Sequence, residues 1–92
     1  MIHAAETERL FQQVLDETSK AVKLQVEWSY DIADQIDAAL HRQGLSQKEF
    51  AKLVGPSEAA VSHWLGGGHN FTLSTLAKIS GVLGEPIISV VH

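Results

Sequence analysis

The stretch Val61–Leu73, "VSHWLGGGHNFTL", holds the residues best suited to chemistry in this chain. It contains two histidines, a tryptophan and three consecutive glycines. Histidine can hold a metal or move a proton at neutral pH. His63 and His69 are six residues apart, however, and do not share a helical face. A metal site would need further His, Asp or Glu supplied by the fold, so neither a metal nor a cofactor is expected. A glycine run can cradle a phosphate with its N–H groups. Here no strand pattern precedes the run, and the Lys-Ser/Thr of a P-loop does not follow it. A helix stop and turn is the expected role. Trp64 has an aromatic face that can stack on a base, but its spacing from Val61 and Leu65 predicts a core position. No nucleophile–base set or carboxylate pair is apparent, so no enzymatic role is expected.

The elements around this stretch are helical. Leu10, Phe11, Val14 and Leu15 make one stripe on a helix over roughly residues 5–17. That stripe packs either on its own domain or across a dimer. "TSKAVKL" reads as a weak break, and a second pattern runs from about Ala21 to Gln43, with Trp28, Ile32, Ile36 and Leu40 four apart. Asp31, Asp34 and Asp37 take other angles and read as a solvated face. Gly44 ends the helix. Ser46 and Glu49 form a capping-box pattern. Phe50, Ala51, Leu53 and Val54 then supply the apolar face of a short helix, which Gly55-Pro56 breaks. Ser57 caps the next, whose stripe is Val61, Trp64 and Leu65. Thr72 caps a further one with apolar positions Leu73, Leu76, Ala77, Ile79, Val82 and Leu83, and Phe71 is placed to staple onto Leu76. Gly84 stops it. "IISVV" after Pro86 reads as a strand or extended tail. The expected class is therefore all-α: about five helices with a short C-terminal extended tail.

The chain has 92 residues and 45% hydrophobic content, suited to one domain. It is expected to span 1–92, with an N-terminal helical extension over about residues 1–26. The absence of cysteine excludes thiol chemistry and fits a reducing compartment. The N-terminus is acidic where a signal peptide is basic, and "PIISVV" is too short to span a bilayer. A cytoplasmic location with no membrane partner is expected. Net charge is −4 and uneven. Residues 1–45 carry Arg9, Lys20, Lys23 and Arg42 against Glu6, Glu8, Asp16, Glu17, Glu27, Asp31, Asp34 and Asp37. Residues 46–92 balance Lys48, Lys52 and Lys78 against Glu49, Glu58 and Glu85. No basic patch of the kind nucleic-acid binders usually carry is visible.

Two short helices joined by a tight glycine turn make a helix-turn-helix unit. Ala51 is small where the helices cross, Gly55 suits the turn, and Val61 and Trp64 suit burial. The run "LSQKEFAKLVGPSEAAVSHWLGG" resembles the Cro/repressor-type (XRE) helix-turn-helix family, and "HNFTLSTLAKISGVLGEPI" looks like the loop and next helix of its small antitoxin-like members. The resemblance covers about residues 28–88. It implies a bacterial transcriptional regulator that binds double-stranded DNA, often as a homodimer and sometimes as the antitoxin of a basic toxin. The acidic N-terminal helices would then face the toxin. In this reading Gln47, Lys48, Lys52 and Asn70 hold phosphates, and Ser57, Glu58, Ser62 and His63 read base edges. A purely local turn role for Asn70 stays open. Three features differ from the family pattern. Glu58 replaces a common Gln, Ala59 and Ala60 replace longer polar residues, and the triple Gly carries no Lys or Arg. The neutral helix-turn-helix half and the two bare alanines motivate a second reading: a protein-interaction module that keeps the fold but has lost DNA affinity.

Overall fold

A computed structural model describes residues 4–91 of the chain. Residues 1–3 and 92 of the expected single domain thus lie outside the described residues. Four helices follow in order: α1 Ala4–Gln43, α2 Gln47–Val54, α3 Glu58–Leu65 and α4 Leu73–Leu83. The all-α class holds, with four helices rather than about five. The difference lies in α1, where the expected break at "TSKAVKL" is absent. No Gly or Pro interrupts residues 4–43, and the Thr18 hydroxyl donates to the Val14 carbonyl at 2.8 Å, inside the helix. Forty residues at about 1.5 Å each give about 60 Å, which sets the longest dimension of the molecule, 62 Å. No helix among the described residues is long and apolar enough to cross a membrane.

Local chemistry ends each helix where the sequence predicts. The Leu45 N–H reaches the Leu40 carbonyl and the Gly44 N–H reaches that of His41, a Schellman close to α1. The Ser46–Glu49 capping box is complete. Ser46 Oγ accepts from the Glu49 N–H at 3.1 Å, and Glu49 Oε1 accepts from the Ser46 N–H at 3.3 Å. Ser57 and Thr72 cap α3 and α4 through the N–H groups of Ala60 and Thr75. Such caps are each worth about 1 kcal/mol. The turn between α2 and α3 is only Gly55-Pro56-Ser57. Gly55 has φ 104°, a conformation L side chains avoid, and its N–H closes α2 on the Ala51 carbonyl at 2.9 Å.

The core is one cluster. Ile36, Ala39 and Leu40 of α1 meet Phe50, Ala51 and Val54 of α2, Val61 of α3, and Ile79 and Leu83 of α4. α1, α2 and α4 contribute residues three or four apart, as an inward stripe must, and half-buried Trp64 and Leu65 extend the stripe of α3 from Val61. Four expected apolar positions are exposed instead: Trp28, Leu53, Leu73 and Ala77. Trp28 is 60% exposed, because the body covers only the last few turns of α1. Leu53 and Leu73 are exposed because each lies off the inward stripe of its helix. Trp64 is half-buried and packs its ring edge-on to Phe50, centroids 6.5 Å apart. No strand occurs among the described residues. The tail after Pro86 has no neighbouring strand to pair with; instead Ile87 is buried and its N–H donates to Ser80 Oγ at 3.1 Å.

The triple glycine shows why the α3–α4 loop has its composition. The Gly66 and Gly67 N–H groups donate to the Ser62 and Trp64 carbonyls. Two of the three donors that a phosphate cradle would offer are therefore used within the chain, and the run is a helix stop. Gly67 and Gly68 both have positive φ, 84° and 75°. They differ in one respect: a Cβ at Gly67 would overlap the Tyr30 ring of α1, whereas one at Gly68 would come no closer than 4.0 Å to it. Both alanine variants should lose about 1–2 kcal/mol from backbone strain, and Gly67→Ala should lose measurably more. Denaturant melts in a Tyr30→Ala background should close that gap. A gap that persists there would mean that Tyr30 is not its cause.

Candidate nucleic-acid interface

In α3 the inward residues are Val61, Trp64 and Leu65, which leaves Glu58, Ala59, Ser62 and His63 on the outer face. Glu58 and Ser62 are one turn apart, as are Ala59 and His63, so the four form a compact patch. All four are exposed. Ser57 stands at the lip of this patch. Its Oγ accepts the Ala60 N–H at 3.1 Å and keeps its own O–H to donate. Gln47 and Lys48 occupy the exposed first turn of α2, where backbone N–H groups have no intrahelical acceptor. Lys52 is exposed at the far end of α2, and Asn70 is exposed in the loop before α4.

The structure changes the charge balance. Arg42 from the acidic half of the chain pairs with Glu85, and Gln43 donates to Glu85 Oε2 at 3.2 Å and to the Leu83 carbonyl at 2.7 Å. The Arg42 guanidinium first, and the Gln43 amide second, hold the Glu85 carboxyl below the ordinary carboxylate range. Glu49 is committed to the capping box. Of the three acidic side chains in residues 46–92, Glu49 and Glu85 are thus bonded within the fold, and Glu58 stands on the α3 patch. Lys48, Lys52 and Lys78 form no salt bridge among the described residues. Lys78 was not marked by the sequence as a site residue. Its Nζ lies beside the helix-turn-helix turn, 3.4 Å from where a Gly55 Cβ would stand. No sequence signal links positions 55 and 78; only the packing of α4 on α2 brings them together.

The loop also brings together two histidines that sequence spacing keeps apart. His69 folds back so that its ring meets Phe71 at 4.7 Å, His63 at 5.2 Å and Trp64 at 6.1 Å between centroids. Glycines at 66–68 permit this reversal. The result is an aromatic bracket, running from Phe50 through Trp64 to His69, that holds the end of α3 and its loop. Among the described residues no group of three or more His, Cys, Asp or Glu is placed to hold a metal ion.

A helix with an exposed outer face is thus set on α2 by a three-residue turn, with lysines on either side. Comparison with known families agrees with this geometry. The chain belongs to the Cro/C1-type helix-turn-helix family, whose model matches residues 36–89, more than half of its length. It is a DNA-binding helix-turn-helix protein of the transcription-regulator class. Comparisons with curated proteins and with solved structures return no match.

Burial first, and the neighbouring His63 second, lower the His69 pKa from its ordinary value. In the unfolded chain His69 takes up its proton nearer the ordinary pKa, about 6.5. The unfolded state therefore binds more protons between the two values, and stability rises with pH across that window. This contribution is present above about pH 6.5 and is lost as pH falls through the folded value. The Tm should fall between about pH 7.5 and 5.5, within the range where histidine titrates. His69→Phe keeps a ring in the bracket and should reduce that fall. Parallel Tm curves for the two proteins would rule out a role for His69.

Proposed function

We propose that this chain is a sequence-specific transcriptional regulator that acts in the cytoplasm as a homodimer. The observation that carries the reading is the polar outer face of α3, set on α2 by the Gly55 turn within the matched region. In this proposal α3 enters the major groove, and Ser57, Glu58, Ser62 and His63 meet base edges. Gln47, Lys48, Lys52 and Asn70 take phosphates, and Lys78 joins them from α4. Helix N-termini add N–H donors that need no net positive charge. As an antitoxin, the protein would offer a basic toxin the exposed carboxylates Asp31, Asp34 and Asp37 of α1.

Titration with self-promoter and random duplexes at several salt concentrations tests the DNA reading. With few lysines the slope of log K against log salt should be shallow, about −2 to −4 per protomer. Lys52→Ala should make it shallower by about 1 without changing the preferred sequence. The absence of binding to any duplex would instead favour the interaction-module reading, which the two bare alanines of α3 motivate.

Glu58 offers a second test. Its carboxylate suits the N-terminus of α3 but repels phosphates, and it can accept from a cytosine amine but cannot form the two-bond pair that Gln makes with adenine. Glu58→Gln should therefore raise general affinity and move preference at one position from cytosine to adenine. The expected discrimination is about 1–3 kcal/mol, within reach of binding-site selection. Identical selected sites for both proteins would remove Glu58 from base reading.

A further inference from the structure

Residues 5–28 of α1 are exposed throughout, and only near Gln25 and Trp28 do they reach the groove at the edge of the body. Of the two partners expected for the stripe of Leu10, Phe11, Val14 and Leu15, its own domain is thereby excluded. The stripe continues past these residues. Phe11, Val14, Thr18, Ala21, Gln25, Trp28 and Ile32 alternate three and four apart, the spacing of a coiled-coil seam. Leu10, Leu15, Val22 and Leu24 widen it on both sides, and all are exposed. Its two aromatic rings and neighbouring aliphatic chains leave on the order of 600 Å² of apolar surface bare, the upper end of what a monomer exposes. A helical arm without tertiary packing is also poorly stabilised in water.

At the body end the seam runs into a groove of about 520 Å³. Trp28 and Ile32 of α1 line it, with Phe71, Leu76, Ile87 and Ile88 opposite. The bare stripe and the groove therefore lie along one face of the same helix.

We propose that this face is closed by a second copy of the chain, with the two α1 helices antiparallel and Phe11 of each seated in the other's groove. In this register Phe11 meets the partner's Trp28, Val14 meets the partner's Gln25, and Thr18 meets the partner's Ala21. Small side chains at the centre let the two backbones close up, and the bulky rings fall at the two grooves that have room for them. One two-fold operation fills both grooves, as an isologous interface requires. Two stripes together bury roughly 1,200 Å², the lower bound for a stable interface. A parallel pair would stack Phe11 on itself, leave both grooves empty and crowd Asp31, Asp34 and Asp37 of both copies at one end. The antiparallel pair places those carboxylates at opposite ends. The stripe does not suit a strongly charged partner. Arg9, Asp16, Lys20, Lys23 and Glu27 lie on the far side of the arm and mix both signs. Of the carboxylates that the antitoxin proposal uses, Asp34 and Asp37 lie off this face, whereas Asp31 lines the groove.

The pairing rests on the homodimer reading above, and its test needs no DNA. Light scattering of the full chain over a concentration series should give twice the 10.0 kDa chain mass. Phe11→Asp should return it to the single-chain mass with the body's melting transition retained, since Phe11 is exposed within one protomer. Trp28→Ala, at the other end of the contact, should weaken dimerisation at least tenfold. The chain has no cysteine, so Arg9→Cys carries a single spin label. Antiparallel arms place the two labels about 35–40 Å apart, parallel arms roughly 20 Å, at 1.5 Å per residue. A wild type that stays monomeric throughout would overturn both the homodimer reading and this interface, and leave the arm to a different protein. A dimer that survives Phe11→Asp, or one with the short label distance, would overturn this interface alone.

Discussion

Phe50 has no exposed surface, and it shares one buried cluster with Ile36 and Leu40 of α1, Val61 of α3 and Ile79 of α4. All four helices meet in that cluster. A 92-residue chain without disulfides has little other apolar volume to draw on. Deleting a buried Phe costs about 3–5 kcal/mol, a large fraction of the 5–15 kcal/mol typical of whole domains. The outer face of α3 depends on the same contact. Trp64 packs edge-on against Phe50, and this fixes the rotation of α3 that turns Glu58, Ser62 and His63 outward.

The electrostatics follow from this packing rather than from composition. Net charge is negative and the helix-turn-helix half is formally neutral. Folding distributes those charges unevenly. Arg42 crosses from the acidic half to neutralise Glu85 beside the end of α4, and Glu49 closes the cap of α2. The lysines are left around the turn and the first turn of α2. A surface can thus favour an anion locally while the chain as a whole repels it at long range. Such a protein gains little from electrostatic steering and depends more on short-range contacts.

α1 serves two purposes along one continuous helix. Its last turns are a wall of the core; the turns before Trp28 are exposed. Nothing in the local sequence changes character at that point, since the apolar stripe runs through both parts. The change comes from the reach of α2–α4 and the tail, which together cover only one end of a helix some 60 Å long. Around Trp28 and Ile32 the boundary between covered and bare helix is also the edge of the apolar groove.

The ends of the helices and the helix-turn-helix were legible in the sequence. Caps at Ser46, Ser57 and Thr72, stops at Gly44, Gly55 and Gly84, and the inward spacing of Phe50, Ala51 and Val54 depend on interactions within about four residues. So did the outer positions of α3, once its inward stripe was assigned. Which stripe residues are buried was not legible, because periodicity defines a face and not the element that covers it. Trp28 lies on the right face and is bare; Leu53 is apolar and points away from the core. The break expected in α1 is absent for a related reason: Thr18 and Ser19 lower helix propensity slightly but do not stop a helix as Gly or Pro does. The placing of His69 beside His63, Lys78 beside Gly55, Tyr30 against Gly67 and Arg42 on Glu85 was decided by tertiary structure alone. Each pair joins segments that no local pattern connects, and they meet only because the shared core brings their helices and loops together.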